Sequence, residues 1–500
     1  MKISYNLMLV IFFFTCINLL SSCAKDNDLF YESIQEEVEK NIEEENEEEP
    51  NVEEDNEGQT NEEEEQGPTE FISGALKAFP SAMGFGSNAT GGRGGKVIKV
   101  TNLNDSGEGS LRAACEESGA RIVIFDVGGT INLSSSITIN NDDITIAGQS
   151  APSNSGGVTI SGASIRIFAS NVIFRYLRIR VGDGGYKNAN GTVVGGNSDD
   201  YDGLSLFGSR GGDNMIFDHC SISWAIDENI GMAGRLTDPL ENVTIQNCII
   251  SEALNSSHHD KGAHSKGALI GLNAQKITFY QNLLAHNSER NIRSGGGNSF
   301  EMINNVVYNF GYASGISSGN VFAVIGNYYK SGADGAKSSN PQMIDYITDS
   351  DYSLNTTKSY ISDNVFVVPG NSVEYDATYN SVMQSSPPIS SNIVATGPAV
   401  ALEDVLGNSG AKVPHVDAVD ERILSEFRNG TGRIIDTQEE VGGFPDLALG
   451  TARVDSDNDG MPDSWEIANG FNPDVDDSAG DSDDNGYTNI EEYLYSLTQD

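Results

Sequence analysis

The sequence predicts an all-β fold, a parallel β-helix of short stacked strands followed by a small acidic C-terminal segment. Short β-rich runs recur from Val97 onward between turns rich in Gly, Asn, Asp and Ser, and long helical patterns are scarce. Many short strands are typical of a sandwich, a barrel or a solenoid. A pattern that repeats along the chain favours the solenoid, because each coil of a solenoid is one structural repeat.

The repeat is centred on asparagines that lie between β-rich runs: Asn247, Asn282, Asn305, Asn327 and Asn364. Their spacings of 35, 23, 22 and 37 residues indicate a coil of about 22 residues with loops inserted in some coils. Stacked side-chain amides at a bend between strands can bond to each other and to the turn backbone. Cys220 and Cys248 fall on neighbouring coils, where we expect buried free thiols.

The N-terminal residues are predicted to be a leader and a tether. Residues 1–22 have the positive start and the apolar run of a signal peptide. The run closes on Leu20, Ser21, Ser22 and Cys23, which resembles a bacterial lipoprotein box, and this resemblance implies that Cys23 is lipidated. Residues 26–70 carry 21 acids and one base, so they are expected to stay extended and unfolded. We therefore expect a secreted protein, lipid-anchored at the bacterial outer membrane and exposed at the cell surface.

The formal net charge of −44 comes mainly from the tether and the tail, since residues 455–500 add 14 acids and no base. Nucleic acid is not an expected partner, because neutralising phosphates requires a basic face. Membrane contact is expected only through the lipid anchor. Three cysteines remain after lipidation, which is too few for a disulfide scaffold. We expect the protein to be a monomer.

An acidic turn precedes the β-rich run at 204–207 and contains Asp199, Asp200 and Asp202. Alternate residues of an extended segment point the same way, so Asp200 and Asp202 can converge. Carboxylates are the hard oxygen ligands that Ca²⁺ prefers. A solvated acidic turn is the simpler alternative, and the turn alone does not decide between the two.

Several strings in residues 79–366 carry a family resemblance. They are Phe79-Pro80, Gly84-Phe85-Gly86, Thr90-Gly91-Gly92-Arg93-Gly94-Gly95, Ile216-Phe217-Asp218-His219-Cys220 and Arg290-x-x-Arg293. With them the chain resembles the pectate lyases of polysaccharide lyase family one. The resemblance implies a right-handed parallel β-helix, Ca²⁺ as cofactor, and an acidic plant or algal polysaccharide such as pectate as the partner.

The resemblance also implies roles for individual residues. A catalytic calcium is assigned to Asp200 and Asp202 with Asp227 or Glu228, catalysis to Lys266 and Arg290, and substrate binding to Arg293 and His264. Arg290 matches the Brønsted base of the family, whereas Asp218 and His219 are expected to be structural. Gly231, Ile292 and Gly295 depart from the family pattern, which has an acid, a proline and an arginine there. The departures predict a calcium site with fewer carboxylates and an altered substrate clamp.

These residue types suit β-elimination on a uronate. Removing the C5 proton places enolate-like charge on the neighbouring carboxylate, which Ca²⁺ and a cation such as Lys266 can stabilise more strongly in the transition state than in the ground state. The C4–O bond then breaks and leaves a 4,5-unsaturated end. Arginine normally stays protonated in proteins, so Arg290 can act as a base only if its surroundings weaken its hold on the proton.

Two rival functions stay open from the sequence. A β-helix glycoside hydrolase acting on polygalacturonate would use paired carboxylates without calcium, and Lys266 and Arg290 argue against it. A catalytically inactive glycan-binding β-helix is consistent with the three departures. A zinc site needs a ligand constellation that the sequence does not show, so His258, His259 and His286 are expected to face solvent or to support other groups.

The acidic tail contains two loops with the ligand spacing of an EF-hand, in which Gly460 and Gly486 permit the sharp turn. The predicted ligands are Asp455, Asp457, Asp459, Asp463 and Glu466 in the first loop, and Asp481, Asp483, Asn485, Asn489 and Glu492 in the second. The spacing resembles dockerin-like and thrombospondin-type-3-like calcium modules. The predicted organisation is a signal peptide at 1–22, a tether at 23–70, a catalytic β-helix at 71–450 and a calcium module at 451–500.

Overall fold

The computed structural model describes residues 76–184, 202–208, 213–235, 237–259, 261–335, 342–368 and 373–498. The predicted signal peptide, Cys23, the tether and Asp200 lie outside these residues, so their assignments stay predictions. Within the described ranges, no helix combines the length and the apolar character that crossing a bilayer demands.

All the strands of the described residues belong to three parallel sheets, and each complete coil contributes one strand to each sheet. The first sheet contains β1 (Lys96–Val100), β2 (Arg121–Phe125), β5 (Ile144–Ala147), β8 (Val172–Arg175), β11 (Met215–Asp218), β14 (Leu240–Gln246), β17 (Ala274–Tyr280), β20 (Ser299–Ile303), β23 (Val321–Ile325) and β26 (Lys358–Ser362). The second contains β3 (Gly129–Asn132), β6 (Val158–Ser161), β9 (Arg178–Arg180), β12 (Ser221–Ser223), β15 (Ile249–Ser251), β18 (Leu283–Ala285), β21 (Val306–Tyr308), β24 (Tyr328–Lys330) and β27 (Val365–Val367). The third contains β4 (Ile137–Ile139), β7 (Ile165–Ile167), β10 (Leu204–Phe207), β13 (Glu228–Ala233), β16 (Lys266–Ile270), β19 (Glu289–Ser294), β22 (Ser314–Ser317), β25 (Gln342–Ile347) and β28 (Val373–Tyr375).

The predicted right-handed parallel β-helix is thereby confirmed. Alternate residues of each strand point into the coil, so Ile165, Leu204, Ile230 and Ala268 stack in register along the third sheet and are buried. Burying an aliphatic side chain of this size contributes about 1.5–3 kcal/mol, and the stack repeats over successive coils. The backbone bonds of one coil are made to the next, which fixes the register of every side chain along the axis.

Helices lie outside the coil stack or at its ends. The α-helices are α1 (Leu111–Glu116), α2 (Pro398–Asn408), α3 (Ala418–Asn429), α4 (Asp463–Asn469) and α5 (Asn489–Ser496). The 3₁₀ helices are Phe85–Asn88, Gly148–Ser150, Leu354–Thr356, Ala377–Ser381 and Gln438–Val441.

The predicted asparagine ladder is present at the bend between the first and second sheets. The side-chain amide of Asn282 donates to Asn305 Oδ1 at 2.9 Å, Asn305 to Asn327 at 3.0 Å, and Asn327 to Asn364 at 2.9 Å. Each accepting oxygen also receives the backbone N–H of the asparagine before it. The ladder thus satisfies buried turn donors that would otherwise lose their water bonds.

Asn247 is not a member of this ladder, and that part of the prediction is wrong. The backbone N–H of Cys248 donates to Asn282 Oδ1 at 2.9 Å, so Cys248 holds the ladder position. Asn247 precedes it with a φ of 52°, a left-handed conformation that asparagine tolerates better than most residues. Cys220 stacks beside Cys248 on the neighbouring coil, and both are buried free thiols as expected.

Helix α3 packs on the outer face of the second sheet through buried charges. Arg180 Nη2 lies 2.8 Å from Asp420 Oδ1, and Arg178 Nε lies 3.4 Å from Asp417 Oδ2. Burial would raise the pKa of Asp417, but the arginine charges outweigh it and lower that pKa to about 2. Removing one partner would leave a buried charge without its counter-ion, at a large cost in folding free energy. The network therefore determines where helix α3 packs on the second sheet.

The acidic tail packs on the outer face of the first sheet. Met461, Ile490 and Leu494 form a buried apolar cluster with Ile122 and Ile124 of β2. The tail therefore covers apolar surface at the start of the β-helix.

Candidate active site

A row of charged side chains lies at the N-terminal ends of consecutive strands in the third sheet. Glu228 of β13 is in register with Lys266 of β16, and Lys266 is in register with Glu289 of β19. Asp202 lies two residues before the start of β10, and Gly203 between them donates its N–H to the Glu228 carbonyl at 3.0 Å. Neighbouring strands lie about 4.8 Å apart, so parallel stacking turns distant sequence positions into one continuous row.

Lys266 Nζ lies 2.5 Å from Glu289 Oε2, and the lysine side chain is nearly buried whereas that of Glu289 is more than a third exposed. Glu289 is not among the residues predicted from the sequence. Glu289 directly precedes Arg290 and begins the strand that pairs with the strand of Lys266. This position could have identified it as a member of the row.

Three of the acids predicted to bind calcium, Asp202, Asp227 and Glu228, lie together in one cluster, whereas Asp200 lies outside the described residues. Each of the three can offer a carboxylate oxygen within 4.8 Å of the others, and they are 2%, 4% and 1% exposed. Asp202 is fixed in place, because its Oδ1 accepts from the Glu228 backbone at 3.1 Å and its Oδ2 from Ser205 Oγ at 2.9 Å. Three converging buried carboxylates repel one another unless a cation lies between them, and oxygen-only ligands suit Ca²⁺. These residues therefore fit a calcium ion.

Gly231 explains how this cluster departs from the family pattern. It lies on β13 between Ser205 and Leu269 of the neighbouring strands, three residues beyond Glu228. No carboxylate can come from this position. Glu228, at the start of the same strand, supplies the third carboxylate of the cluster instead.

Arg290 makes an ion pair with Glu228 and lies alongside Gly267 of β16. A Cβ at Gly267 would lie 2.6 Å from the Arg290 carbonyl oxygen, so the glycine permits the close approach of the two strands. Glu228, predicted to bind calcium, and Arg290, predicted to be the base, are thus in direct contact.

The backbone of β19 is irregular at the predicted base. Arg290 has a φ of 57° and Ile292 a φ of 61°, and the pairing with β16 shifts register between Ala268 and Leu269. Proline is locked near −65°, so the family's proline could not adopt the Ile292 conformation. A β-branched residue in the left-handed region is strained, and such strain concentrates at functional sites.

Arg293 is in register with Gly315 of β22, which is in turn in register with Asp345 of β25. A Cβ at Gly315 would lie 2.7 Å from Ile347 Cδ1 and 3.4 Å from Arg293 Nη1, so a side chain at this position would press on Ile347 while the guanidinium lies at contact distance. Burial, with a contribution from Asp376, raises the pKa of Asp345 to about 6. The sequence analysis did not single out Asp345.

Two histidines contact Asp227. His264 Nε2 lies 2.7 Å from Asp227 Oδ1 and His259 Nε2 lies 3.3 Å from Asp227 Oδ2, and all three residues are buried. Burial would raise the pKa of Asp227, but hydrogen bonds from His259 and His264 hold it well below its usual range. His259 thus supports another group, one of the two positions expected for it, and Asp227, His259 and His264 each offer a potential ligand atom within 4.8 Å of the others. His286 is elsewhere, bonded to Asn309 at 2.9 Å and beside Glu426.

Comparison with known proteins decides the family. No family model matches the sequence. The chain is 36% identical over 444 residues to a probable pectate lyase C of Aspergillus flavus, covering 85% of this chain and 95% of the relative. A probable pectate lyase C of Emericella nidulans is 35% identical over 440 residues, covering 85% of the chain and 93% of the relative. The chain belongs to the pectate lyase family.

Membership of the pectate lyase family confirms the predicted enzyme class. Among solved structures, the cedar pollen allergen Jun a 1 aligns with a TM-score of 0.46 and 20% identity, over 66% of this chain and 92% of that one. A pectate lyase bound to a hexasaccharide aligns with a TM-score of 0.47 and 15% identity, over 68% and 98%. The β-helix described above rests on the strand order and register of the chain itself.

Asp218 and His219, in the string that most resembles other pectate lyases, have structural contacts. Asp218 is buried, with the Arg175 guanidinium and His219 Nδ1 within 2.8 and 2.9 Å of its oxygens. Burial alone would raise the pKa of Asp218, but His219 and Arg175 hold it far below its usual range. The contacts of Asp218 and His219 thus stabilise the coil, as expected.

The first tail loop of this pectate lyase family member gathers five carboxylates, in two groups that share Asp459. One group is Asp455, Asp457 and Asp459, and the other is Asp459, Glu466 and Asp477. Glu466 is fully buried, and among the described residues neither of its oxygens has a hydrogen-bond partner. Burial and the surrounding acids raise the pKa of Glu466 to about 7 and that of Asp459 to about 6. Such a cluster fits a divalent cation, and the sequence analysis missed Asp477.

Asp463 does not join this group. Its two oxygens accept from Ser456 N and Ser456 Oγ, each at 2.8 Å, so it closes the loop. In the second loop Asn485 Nδ2 donates to Asp483 Oδ2 at 3.0 Å and to Glu492 Oε1 at 2.9 Å, and Gly486 N donates to Asp481 Oδ2 at 2.9 Å.

Asn489 in the second loop bonds to the backbone on both sides. Its Oδ1 accepts from Ser482 N at 3.2 Å and its Nδ2 donates to the Asp477 carbonyl at 2.8 Å. Asp463 and Asn489 hold the same position in their loops, and both are used to close the loop. The EF-hand spacing therefore predicts the loop geometry, whereas it overstates the number of side chains that remain available for a metal.

Proposed function

We propose that this chain cleaves pectate by calcium-assisted β-elimination and leaves 4,5-unsaturated uronate ends. The observation that carries the proposal is the row on the third sheet, where the buried acids Asp202, Asp227 and Glu228 adjoin Lys266 and Arg290 on consecutive coils. A strip that carries both acids and bases can hold a polyanion once a cation occupies the acids. The curated relatives at 35–36% identity, named as probable pectate lyases, support the same substrate.

In this proposal Asp202, Asp227 and Glu228 hold the calcium, which when bound draws the uronate carboxylate in and stabilises charge on it. Lys266 and Arg293 orient the same carboxylate by charge and hydrogen bonds. Arg290 takes the C5 proton, the C5–H electrons form the C4–C5 double bond, and the C4–O bond breaks. The departing glycosidic oxygen then receives a proton from solvent or from a side chain of the row.

The Arg290–Glu228 contact sets a condition on this mechanism. A guanidinium that is ion-paired with a carboxylate holds its proton firmly, and arginine is already a very weak acid. Arg290 can therefore accept a proton only after its guanidinium has left Glu228 and lost one of its own. We expect this ion pair to open before the chemical step, with Glu228 turning toward the other two acids.

We predict that incubation with polygalacturonate produces a steady rise in the ultraviolet absorbance of unsaturated uronates. The double bond conjugated to the C5 carboxylate forms only in an elimination, so a hydrolase would release reducing ends with no absorbance change. An inactive glycan-binding protein would produce neither signal. Reducing ends without absorbance, from a properly folded sample, would overturn the elimination.

We also propose that the tail binds calcium through Asp455, Asp457, Asp459 and Glu466 of its first loop and through Asp481, Asp483, Asn485 and Glu492 of its second. The buried, unpartnered oxygens of Glu466 support the first site. The second loop is exposed, and the side-chain amide of Asn485 bridges Asp483 and Glu492, which supports a weaker site. Lys99 Nζ lies 2.5 Å from Asp455 Oδ2, so the first loop is fixed to β1. The role of these sites is structural.

We predict that calcium raises the thermal unfolding temperature and that Glu466→Gln removes most of the gain. A ligand at about 100 times its Kd stabilises the folded state by about 2.7 kcal/mol. Glu439→Gln, in an exposed part of the C-terminal segment, is the matched control and should keep the calcium response. An unchanged calcium shift in Glu466→Gln would show that this loop does not hold the ion.

We further propose that residues 1–22 are a signal peptide and that Cys23 carries the lipid that ties the enzyme to the outer surface of a bacterium. The support is the apolar run that closes on small residues and a cysteine, followed by an acidic spacer. A surface enzyme of this kind would meet its polysaccharide outside the cell as a monomer on a tether.

A further inference from the structure

The loop of residues 252–265, between β15 and β16, carries His259 and His264 to the acidic cluster. Their rings stack with centroids 3.6 Å apart and an interplanar angle of 13°, and both Nε2 atoms face Asp227. Neither His259 nor His264 has more than 6% of its surface exposed. The reaction proposed above uses Asp227 and gives no role to the two aligned imidazoles that contact it.

The hydrogen bonding of His259 distinguishes a metal ligand from a hydrogen-bond donor. The backbone N–H of Lys261 donates to His259 Nδ1 at 3.1 Å, so Nδ1 carries a lone pair and no proton. A neutral imidazole then carries its proton on Nε2, the atom that faces Asp227. A transition metal at Nε2 would require both ring nitrogens to be unprotonated, which neutral histidine does not allow. The arrangement is therefore that of an N–H group directed at a carboxylate.

The loop is held in place by the segment that follows α3. Asn255 donates its N–H to the Ile435 carbonyl at 2.8 Å and its side-chain amide to Asp436 Oδ1 at 3.1 Å. His264 in turn donates its N–H to the Asn255 carbonyl at 2.8 Å. The histidines are thus positioned by anchored backbone, which gives them the rigidity that orienting another side chain demands.

We propose that His259 and His264 are positioning residues that hold the Asp227 carboxylate in the orientation in which it binds a hard divalent cation together with Asp202 and Glu228. This inference rests on the proposed function, because Asp227 is taken as a calcium ligand. Each carboxylate oxygen has two lone pairs, so Asp227 can accept from the histidines and still direct a lone pair at the cation. Partners that hydrogen-bond a ligating carboxylate set its orientation, and their loss typically weakens metal binding by about 10- to 100-fold.

The test measures binding directly, with terbium(III) as a luminescent probe for the calcium site. The chain has two tryptophans, Trp224 three residues before Asp227 and Trp465 in the tail. In a Trp465→Phe background, terbium emission excited through tryptophan reports on the site near Asp227, and Ca²⁺ is then titrated in to displace it. His264→Phe keeps the stacked ring and removes the N–H, whereas His264→Gln keeps an N–H at the place of Nε2.

We expect His264→Phe to weaken terbium and calcium binding about tenfold or more, and His264→Gln to recover most of the loss. The calcium concentration for half-maximal pectate cleavage should rise in parallel with the loss of terbium binding. His219→Phe is the control, because His219 also contacts a buried aspartate and stacks on Tyr176 but lies on another face. It should leave terbium binding unchanged.

Different results would contradict the positioning role of the histidines and the proposed calcium mechanism. Equal terbium binding in His264→Phe and the parent, with calcium-dependent cleavage intact, would overturn the positioning role alone. A parent that cleaves pectate at full rate in excess chelator would overturn the proposed calcium mechanism instead. A stoichiometric transition metal in the purified parent that His264→Phe loses would show that the cluster is a metal site.

Discussion

Arg290→Lys is expected to lose turnover by about 10²-fold or more while the affinity for pectate changes far less. If Arg290 takes the C5 proton, an ammonium at that position has a different reach and proton affinity, although its charge is the same. Substrate binding should persist, because Lys266, Arg293 and the calcium still hold the carboxylate. Steady-state kcat and KM on polygalacturonate, read by absorbance, measure the split.

Lysine is the informative substitution at this position. Glu228 is 1% exposed and pairs with Arg290, so an alanine would leave a buried carboxylate without its partner and confuse lost chemistry with lost folding. Arg293→Lys is the matched control and should be milder, since a clamp tolerates a point charge. If Arg290→Lys keeps a near-normal kcat and only raises KM, Arg290 merely binds substrate, and Lys266 and His264 become the candidates for the base.

The repeat predicted the β-helix, whereas the roles of the site residues were implied by the resemblance to pectate lyases. Once the coil length is known, Lys266 and Arg290 must lie at the same end of neighbouring strands, and the contacts agree. The prediction placed Asn247 in the ladder, one residue before the true position. The spacing between coils is nearly the same whether it is counted from Asn247 or from Cys248, so spacing alone does not identify the ladder residue. Only the backbone register separates Asn247 from Cys248.

What the sequence could not supply are contacts made by loops and by distant segments. His259 and His264 meet Asp227 through a loop whose course is fixed by residues 435–436. Asp477 reaches the first tail loop from beyond helix α4, and no EF-hand spacing includes it. In both cases the path of an irregular backbone decides which side chains converge, and periodicity carries no information about that path.

Removing calcium is expected to abolish cleavage, with activity falling by about 10²-fold or more in excess chelator and returning when Ca²⁺ is added. Without a cation, Asp202, Asp227 and Glu228 present converging negative charge to a polyanionic substrate. Asp202→Asn should raise the calcium concentration for half-maximal activity about tenfold or more, since one charge of three is lost. Asparagine can keep the bonds to Glu228 N and Ser205 Oγ, so the fold should be preserved.

The tail is also proposed to bind calcium, so a control must separate the two effects. Deleting residues 451–500 would uncover Ile122 and Ile124, which Met461 and Ile490 bury, and the truncated chain could fail for that reason alone. Glu466→Gln in the full chain weakens the tail site and leaves the row on the third sheet untouched. Its cleavage should keep the calcium dependence of the parent at a temperature where both are folded. If instead Glu466→Gln shifts that dependence and Asp202→Asn does not, the calcium that matters for activity is the one in the tail.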